Sequence, residues 1–317
     1  MTSKAKDEGP APMQTSRTDD HILLIGHPPI TDYFQYVRTK IAQGKTVDRG
    51  ALATEWRAAN AVVRELESSE AGMADDPVLT PLSTESERFA EQQIRDDAAQ
   101  RILCLTPYQW AIVELDRVVV YQKTINLSYA SQIADTLGRT VDEKDLMRIA
   151  VGGAAHRPAL QIRQPSDGTY TFSCRSNDLR LLSTGILDLQ SMQECPATGR
   201  PVTALGLFIG FGLNIINVLH VGNRLFLING SHRAFALRKR GITHVPCLVQ
   251  RIVQDEDLDV LGVGESRQKI ERYLKIKRPP LFKDYFDERL TKQFAVPRNH
   301  VMLQVQLTSQ YISVPEV

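Results

Sequence analysis

Residues 225–249 read LFLINGSHRAFALRKRGITHVPCLV, and the order of residue types in this stretch sets the expected fold. Leu225-Phe226-Leu227-Ile228 is a short apolar run that predicts a buried strand. Asn229-Gly230-Ser231 breaks the run and supplies a sharp turn. A compact helix is predicted from about His232 to Arg240, with Asn229 or Ser231 capping its first turn through a side-chain oxygen. Lys239 and Arg240 sit in its last turn, where cations suit the helix dipole, and Gly241 ends it. His244 to Val249 then forms a second strand. The unit is strand, turn, helix, strand.

The chemistry of this unit lies at the turn. A helix N-terminus offers backbone N–H groups and partial positive charge, a natural setting for phosphate. Gly230 lets the backbone approach a ligand closely. His232 and Arg233 add donors at the same place, and an Arg can hold a phosphate in a fork. The alternative is an ordinary strand–helix turn with a surface Arg and a capping Ser. Residue types alone leave both readings open.

The Gly230-Ser231-His232-Arg233 tetrad, followed by Ala234-Phe235-Ala236-Leu237 and by Gly241 to Val249, resembles the ParB/sulfiredoxin superfamily. That superfamily carries a Gly-x-x-Arg signature between a strand and a helix. Sulfiredoxins have a Cys where this chain has Ser231, and the CTP-binding ParB proteins have a Glu there and an Arg in place of His232. The resemblance covers about twenty-five residues. It implies an α/β (α+β) fold, a ParB/sulfiredoxin-like mixed sheet, and a nucleotide site on Asn229, Gly230, Ser231, His232 and Arg233. It also implies Mg²⁺ bound with the nucleoside triphosphate. The phosphates would be stabilised by Arg233 and His232, with Ser231 donating. The sequence locates no catalytic base; Asp116 and Asp188 are candidates only through their expected place near the domain's turns.

Within that frame the chain divides into four parts. Residues 1–19 are rich in Lys, Ser, Thr, Pro and Asp and read as a disordered tail. Residues 20–105 read as a helical module, with Leu52, Trp56, Ala59, Val62, Val63 and Leu66 near helical spacing. Such a stripe points to packing or to a protein partner. Residues 106–255 form the ParB/sulfiredoxin-like domain, with an inserted β segment near 152–211. Residues 256–317 are a C-terminal helix and strand extension. In the insertion, Ala159 to Ile162 and Thr169 to Ser173 flank Asp167-Gly168 as a hairpin. Gly222-Asn223 predicts a second tight hairpin leading to Gly230. The insertion reads equally as a lid or as an extra sheet.

Composition narrows the function class. Formal net charge is only +1, which argues against a strongly basic nucleic-acid protein but leaves room for a local patch. The best such patch is Lys269, Arg272, Lys275, Lys277 and Arg278. Asp255-Glu256-Asp257-Leu258-Asp259 reads as a solvated acidic run, with Mg²⁺ binding as the alternative. No apolar stretch reaches the roughly 20 residues of a membrane span. Cys104, Cys174, Cys195 and Cys247 lie far apart with no zinc-like spacing, so reduced thiols, no metal site and a cytoplasmic setting are expected. Three functions are carried forward: a nucleotide-binding protein with phosphoryl transfer or hydrolysis, a DNA-associated binder or nuclease, and a non-enzymatic interaction protein.

Overall fold

The computed structural model describes residues 18–42, 46–94, 103, 106–138, 141–152, 159–166, 168–174, 179–188, 200–212, 215–260, 267–298 and 301–312. The first half of the chain supplies β1 (Thr18–Leu24), α1 (Ile30–Tyr36) running on as a π-helical turn over Val37–Ile41, and α2 (Arg49–Ser69). It continues with β2 (Thr80–Pro81), α3 (Thr84–Gln93), β3 (Tyr108–Glu114), β4 (Val119–Val120), β5 (Thr124–Asn126), α4 (Leu127–Asp135) and α5 (Glu143–Ala150). The second half supplies β6 (Gln161–Ser166), β7 (Thr169–Ser173), β8 (Leu179–Leu187), β9 (Ala204–Phe211), β10 (Asn217–Val221), β11 (Arg224–Asn229) and α6 (Ser231–Lys239). It ends with β12 (His244–Arg251), α7 (Glu256–Val260), α8 (Arg267–Lys275), β13 (Thr291–Pro297) and β14 (Met302–Gln306). The described residues form an α+β structure.

The central sheet has the order β2-β3-β12-β10-β11-β4. Its middle strand β12 is buried from Val245 to Gln250, which is why the sequence there runs apolar instead of alternating. Pro246 interrupts that strand without penalty. It pairs with Ile112 of β3, and the parallel pairing with β10 starts only at Leu248, so at Pro246 β12 has a neighbour on one side alone. One face of the sheet, carrying Val113, Val218, Leu225, Leu227, Val245 and Cys247, packs on Ala234, Phe235 and Leu237 of α6. The other face carries Trp110 and Leu248 toward α3, and Leu219 and Phe226 toward α7 and α8. Cys247 is fully buried, and burial pushes its thiol far above the ordinary range. Cys174 is also buried, while Cys104 and Cys195 lie outside the described residues.

The termini are built into the structure more deeply than the sequence predicts. The segment 20–105, read as a helical module, contains the central strand of a sheet ordered β13-β1-β5. Thr18 and Asp19, assigned to the tail, already belong to β1, and Asp19 is buried against Arg298 and Asn126. The remainder of the tail lies outside the described residues. The strand β13 was not foreseen. Its burial pattern is irregular, so its residues carry no clean alternation. The helical reading of residues 20–105 holds at α3, Thr84–Gln93, whose N-cap Ser83 accepts from Ser86 N–H. Within α2, Leu52, Ala59 and Val63 are buried, Trp56 Nε1–H donates to Pro28 O at 2.9 Å, and Asn60 donates to Gly26 O at 2.9 Å. The aromatic stripe is a packing surface.

The insertion forms two separate small sheets, β14-β7-β6 and β8-β9. None of its four strands joins the central sheet. Asp167 of the first predicted turn lies outside the described residues. The Gly222-Asn223 turn joins β10 to β11 as expected.

A buried ion cluster joins the two ends of the chain. Arg278 is 1% exposed, and its guanidinium donates to both carboxylate oxygens of Asp284 and to Glu70 Oε2 at 2.9 Å. His27 Nε2 lies 3.0 Å from Asp284 Oδ2, and Lys283 Nζ is 2.6 Å from Glu70 Oε1. Burial alone would raise the Asp284 carboxyl, but its bonds with His27 and Arg278 outweigh burial and hold it below the ordinary aspartate value. Glu70 is likewise held low by Lys283 and Arg278 against its own desolvation. A depressed carboxyl stabilises the fold above its ordinary pKa, and that contribution fades as pH falls through the folded value. Acid titration below the ordinary carboxylate range should therefore loosen this junction. Asp284→Ala removes the bidentate partner of the buried Arg278 and leaves it Glu70 as its only carboxylate, and is expected to cost about 3–5 kcal/mol in urea unfolding. An unchanged unfolding midpoint would show that the junction contributes little.

Candidate functional site

The Gly230 turn sits where β11 hands over to α6. Gly230 occupies the N-cap position with φ +84°, in the left-handed region. A Cβ at this position would lie 2.7 Å from Ile216 Cα and 2.8 Å from Ile216 Cγ1. Glycine is thus required twice, by backbone conformation and by the closeness of the neighbouring chain. The helix begins one residue earlier than predicted. Neither Asn229 nor Ser231 caps it, and α6 has no side-chain N-cap bond. Asn229 Oδ1 instead accepts from the adjacent Gly230 N–H at 2.8 Å. The first intrahelical bond runs from Ala234 N–H to Gly230 O, so the N–H groups of Ser231, His232 and Arg233 belong to the open first turn.

The three side chains after Gly230 are engaged with the protein. Ser231 Oγ donates to Gln122 Oε1 at 2.9 Å. His232 Nε2 accepts from Asn126 N–H at 3.0 Å, at the N-cap of α4, and its ring meets Tyr129 edge-on with centroids 5.4 Å apart. That acceptor role fixes Nε2 as unprotonated. Burial, with the nearby charges of His21 and Arg233 adding to it, pushes the imidazole down to about 4. His232 is therefore neutral at pH 7, and it supplies no charge to a phosphate.

Arg233 is 8% exposed, and its Nη1 donates to Ile149 O at 3.0 Å and Ala150 O at 3.1 Å. These are the last carbonyls of α5, where the helix dipole is negative. Burial pulls the guanidinium down to about 10, which still leaves it a cation at pH 7. The sequence identified Arg233 but not these partners, since the α5 end lies some eighty residues away. Asn126 carried a readable signal as the cap of the Leu127 helix.

The other predicted residues lie elsewhere. Asp116 takes both nitrogens of the Arg238 fork, at 2.8 and 3.0 Å, near the opposite end of α6. This pair borders an open cleft of about 640 Å³, lined also by Glu114, Lys283, Phe286 and Arg289. The cations there are matched by carboxylates: Arg238 by Asp116, Lys283 by Glu70 and Arg289 by Asp287. Asp188 is exposed just beyond β8. In the acidic run, Asp257 accepts from Val253 and Gln254 N–H groups, and Asp255 pairs with Arg267. Among the described residues no three His, Cys, Asp or Glu side chains are grouped to hold a metal. In the basic patch, Lys269, Arg272, Lys275 and Lys277 are exposed. Arg278 is not part of that surface, because it is consumed in the buried ion cluster. No helix among the described residues is long and apolar enough to cross a membrane.

Two predictions follow from this geometry. Gly230→Ala should destabilise by about 2–4 kcal/mol, combining left-handed strain with overpacking on Ile216, as read from chemical unfolding. The neutral His232 gives stability that is complete above its unfolded value of 6.5 and is lost as pH falls toward about 4. The full effect is about 3 kcal/mol. Unfolding curves from pH 7.5 to 4.5 should flatten in His232→Gln. A residual slope is expected from His21 and His220, whose imidazoles burial also lowers. An identical slope in wild type and variant would refute the assignment.

Compared with known protein families, with curated proteins and with solved structures, the chain matches none.

Proposed function

We propose that the chain is a nucleotide-binding protein of the ParB/sulfiredoxin type, with the phosphates lying on the main chain at the start of α6. One observation carries the reading: α6 begins at a left-handed glycine with no side-chain cap. Uncapped first-turn N–H groups and the dipole favour an anion there. The cation of Arg233 in the same turn raises the local potential, while its Nη1 hydrogen bonds go to α5. The phosphates are thus held mainly by backbone N–H groups, and Mg²⁺ enters with the nucleotide. Phosphoryl transfer depends chiefly on positioning and charge stabilisation. Asp116 is committed to Arg238, so this reading assigns binding without a general base. Sulfinic acid reduction is disfavoured, because Ser231 stands where that chemistry needs a thiol.

A second reading is an interaction protein, in which the signature serves the fold alone. It is favoured by the internal bonds of Ser231, His232 and Arg233. A DNA-associated role rests on the four exposed cations of residues 269–277, which alone do not distinguish a binding surface from a solvated face.

Asn229→Asp separates the first two readings. It keeps the acceptor for Gly230 N–H and adds one negative charge at the turn. With ATP, CTP and GTP plus Mg²⁺ in calorimetric titration, wild type should bind at least one, and Asn229→Asp should weaken that binding at least about ten-fold. Absence of wild-type binding at millimolar nucleotide would leave the interaction reading standing.

A further inference from the structure

The inserted hairpin β8–β9 is a two-stranded sheet that no other described strand extends. A two-stranded ribbon is marginal alone. β8 also touches β14, and among the described strands β9 pairs with β8 alone. Natural edge strands are commonly blunted by charge or proline. β9 has neither: its eight residues read ALGLFIGF. Leu205 is 59% exposed and Phe208 50%, and across the ribbon Ile186 is 74% exposed. The register sets Ile186 opposite Leu205, Thr184 opposite Leu207, Leu181 opposite Ile209 and Leu179 opposite Phe211. One face of the ribbon is therefore almost wholly apolar.

The order of sizes along β9 identifies what fits its edge. Leu205-Gly206-Leu207-Phe208-Ile209-Gly210-Phe211 is symmetric in size about Phe208. Two copies of β9 running antiparallel about that residue would set glycine opposite glycine and large apolar residues opposite large ones. Leu205 would face Phe211 of the other copy, Leu207 would face Ile209, and Phe208 would face itself on the twofold axis. No like charges would meet, and aromatic and branched cross-strand pairs are favourable. The residue sum is even, so paired side chains stay on the same face of the joined sheet. We propose that β9 is a self-association edge, through which two copies of this chain form a four-stranded β8-β9-β9-β8 sheet. The contact is isologous and closes as a dimer. It explains why a charge-free apolar strand is left at the rim, and it is independent of nucleotide binding.

The test uses the full chain in sedimentation and light scattering over a concentration series. Wild type should show twice the monomer mass at tens of micromolar. Phe208→Lys puts two ammonium groups against each other on the axis, and should weaken the dimer at least ten-fold while leaving the thermal midpoint of the monomer within a few degrees. Positional proof comes from oxidation of two variants. Phe208→Cys should give an intermolecular disulfide, because residues opposite each other in an antiparallel pair have suitable Cα spacing. Ile186→Cys, on the far strand, should not cross-link above the wild-type background of native thiols. A monomeric wild type, a dimer indifferent to Phe208→Lys, or cross-linking at 186 instead of 208 would each overturn the proposal.

Discussion

The close approach of Gly230 to Ile216 is the constraint on which the rest of the site depends. Ile216 N–H donates to Ala150 O at 2.7 Å, and Ile216 O accepts from Leu248 N–H at 2.9 Å. Arg233 donates to the same Ala150 carbonyl. The glycine and the arginine of the tetrad thus grip one point from two sides. Gly230 allows the backbone contact, and Arg233 closes the end of α5 behind it. A side chain at 230 would push the two apart, and loss of the guanidinium would leave helix-end carbonyls short of a buried donor.

This arrangement changes how a Gly-x-x-Arg sequence should be read. The same residues that make a good anion turn also make a good structural clamp, because both uses need donors at a tight bend. Here the Nη1 of Arg233 serves the clamp, and the neutral His232 accepts a backbone N–H instead of offering a charge. What remains for a ligand is the helix terminus itself. An anion held by backbone N–H groups on a rigid turn needs no side-chain reorganisation to bind, which suits a nucleotide site. The clamp is therefore compatible with the proposed binding at this turn, since the two would use different atoms of the same residues.

The buried Arg278 cluster has a comparable role at the scale of the chain. It draws together the turn after β1, the end of α2 and the segment before Asp284. Breaking one partner strands a charge in the interior, which costs far more than an exposed pair contributes. The same cluster takes Arg278 out of the basic stretch that otherwise looks like a nucleic-acid surface. Charge counts along a sequence do not separate these two fates of an arginine.

The sequence by itself determined the local elements that local physics controls. The strand Leu225-Phe226-Leu227-Ile228, the turn at Gly230, the helix after it and the Gly222-Asn223 hairpin follow from apolar runs, glycine and turn chemistry, all acting within a few residues. Helix α2 and its packing stripe were legible for the same reason. Tertiary structure alone decided the partners. Nothing near His232 in sequence reveals that it accepts from Asn126, and nothing near Arg278 reveals Asp284 and Glu70 around it. The joining of β1 to β13 links residues about 270 positions apart, such as Ile22 and Gln293, and its irregular burial leaves no periodic signal to read. Contacts of that separation depend on how whole layers pack. They settle which polar groups are spent inside the fold and which are left to face a ligand.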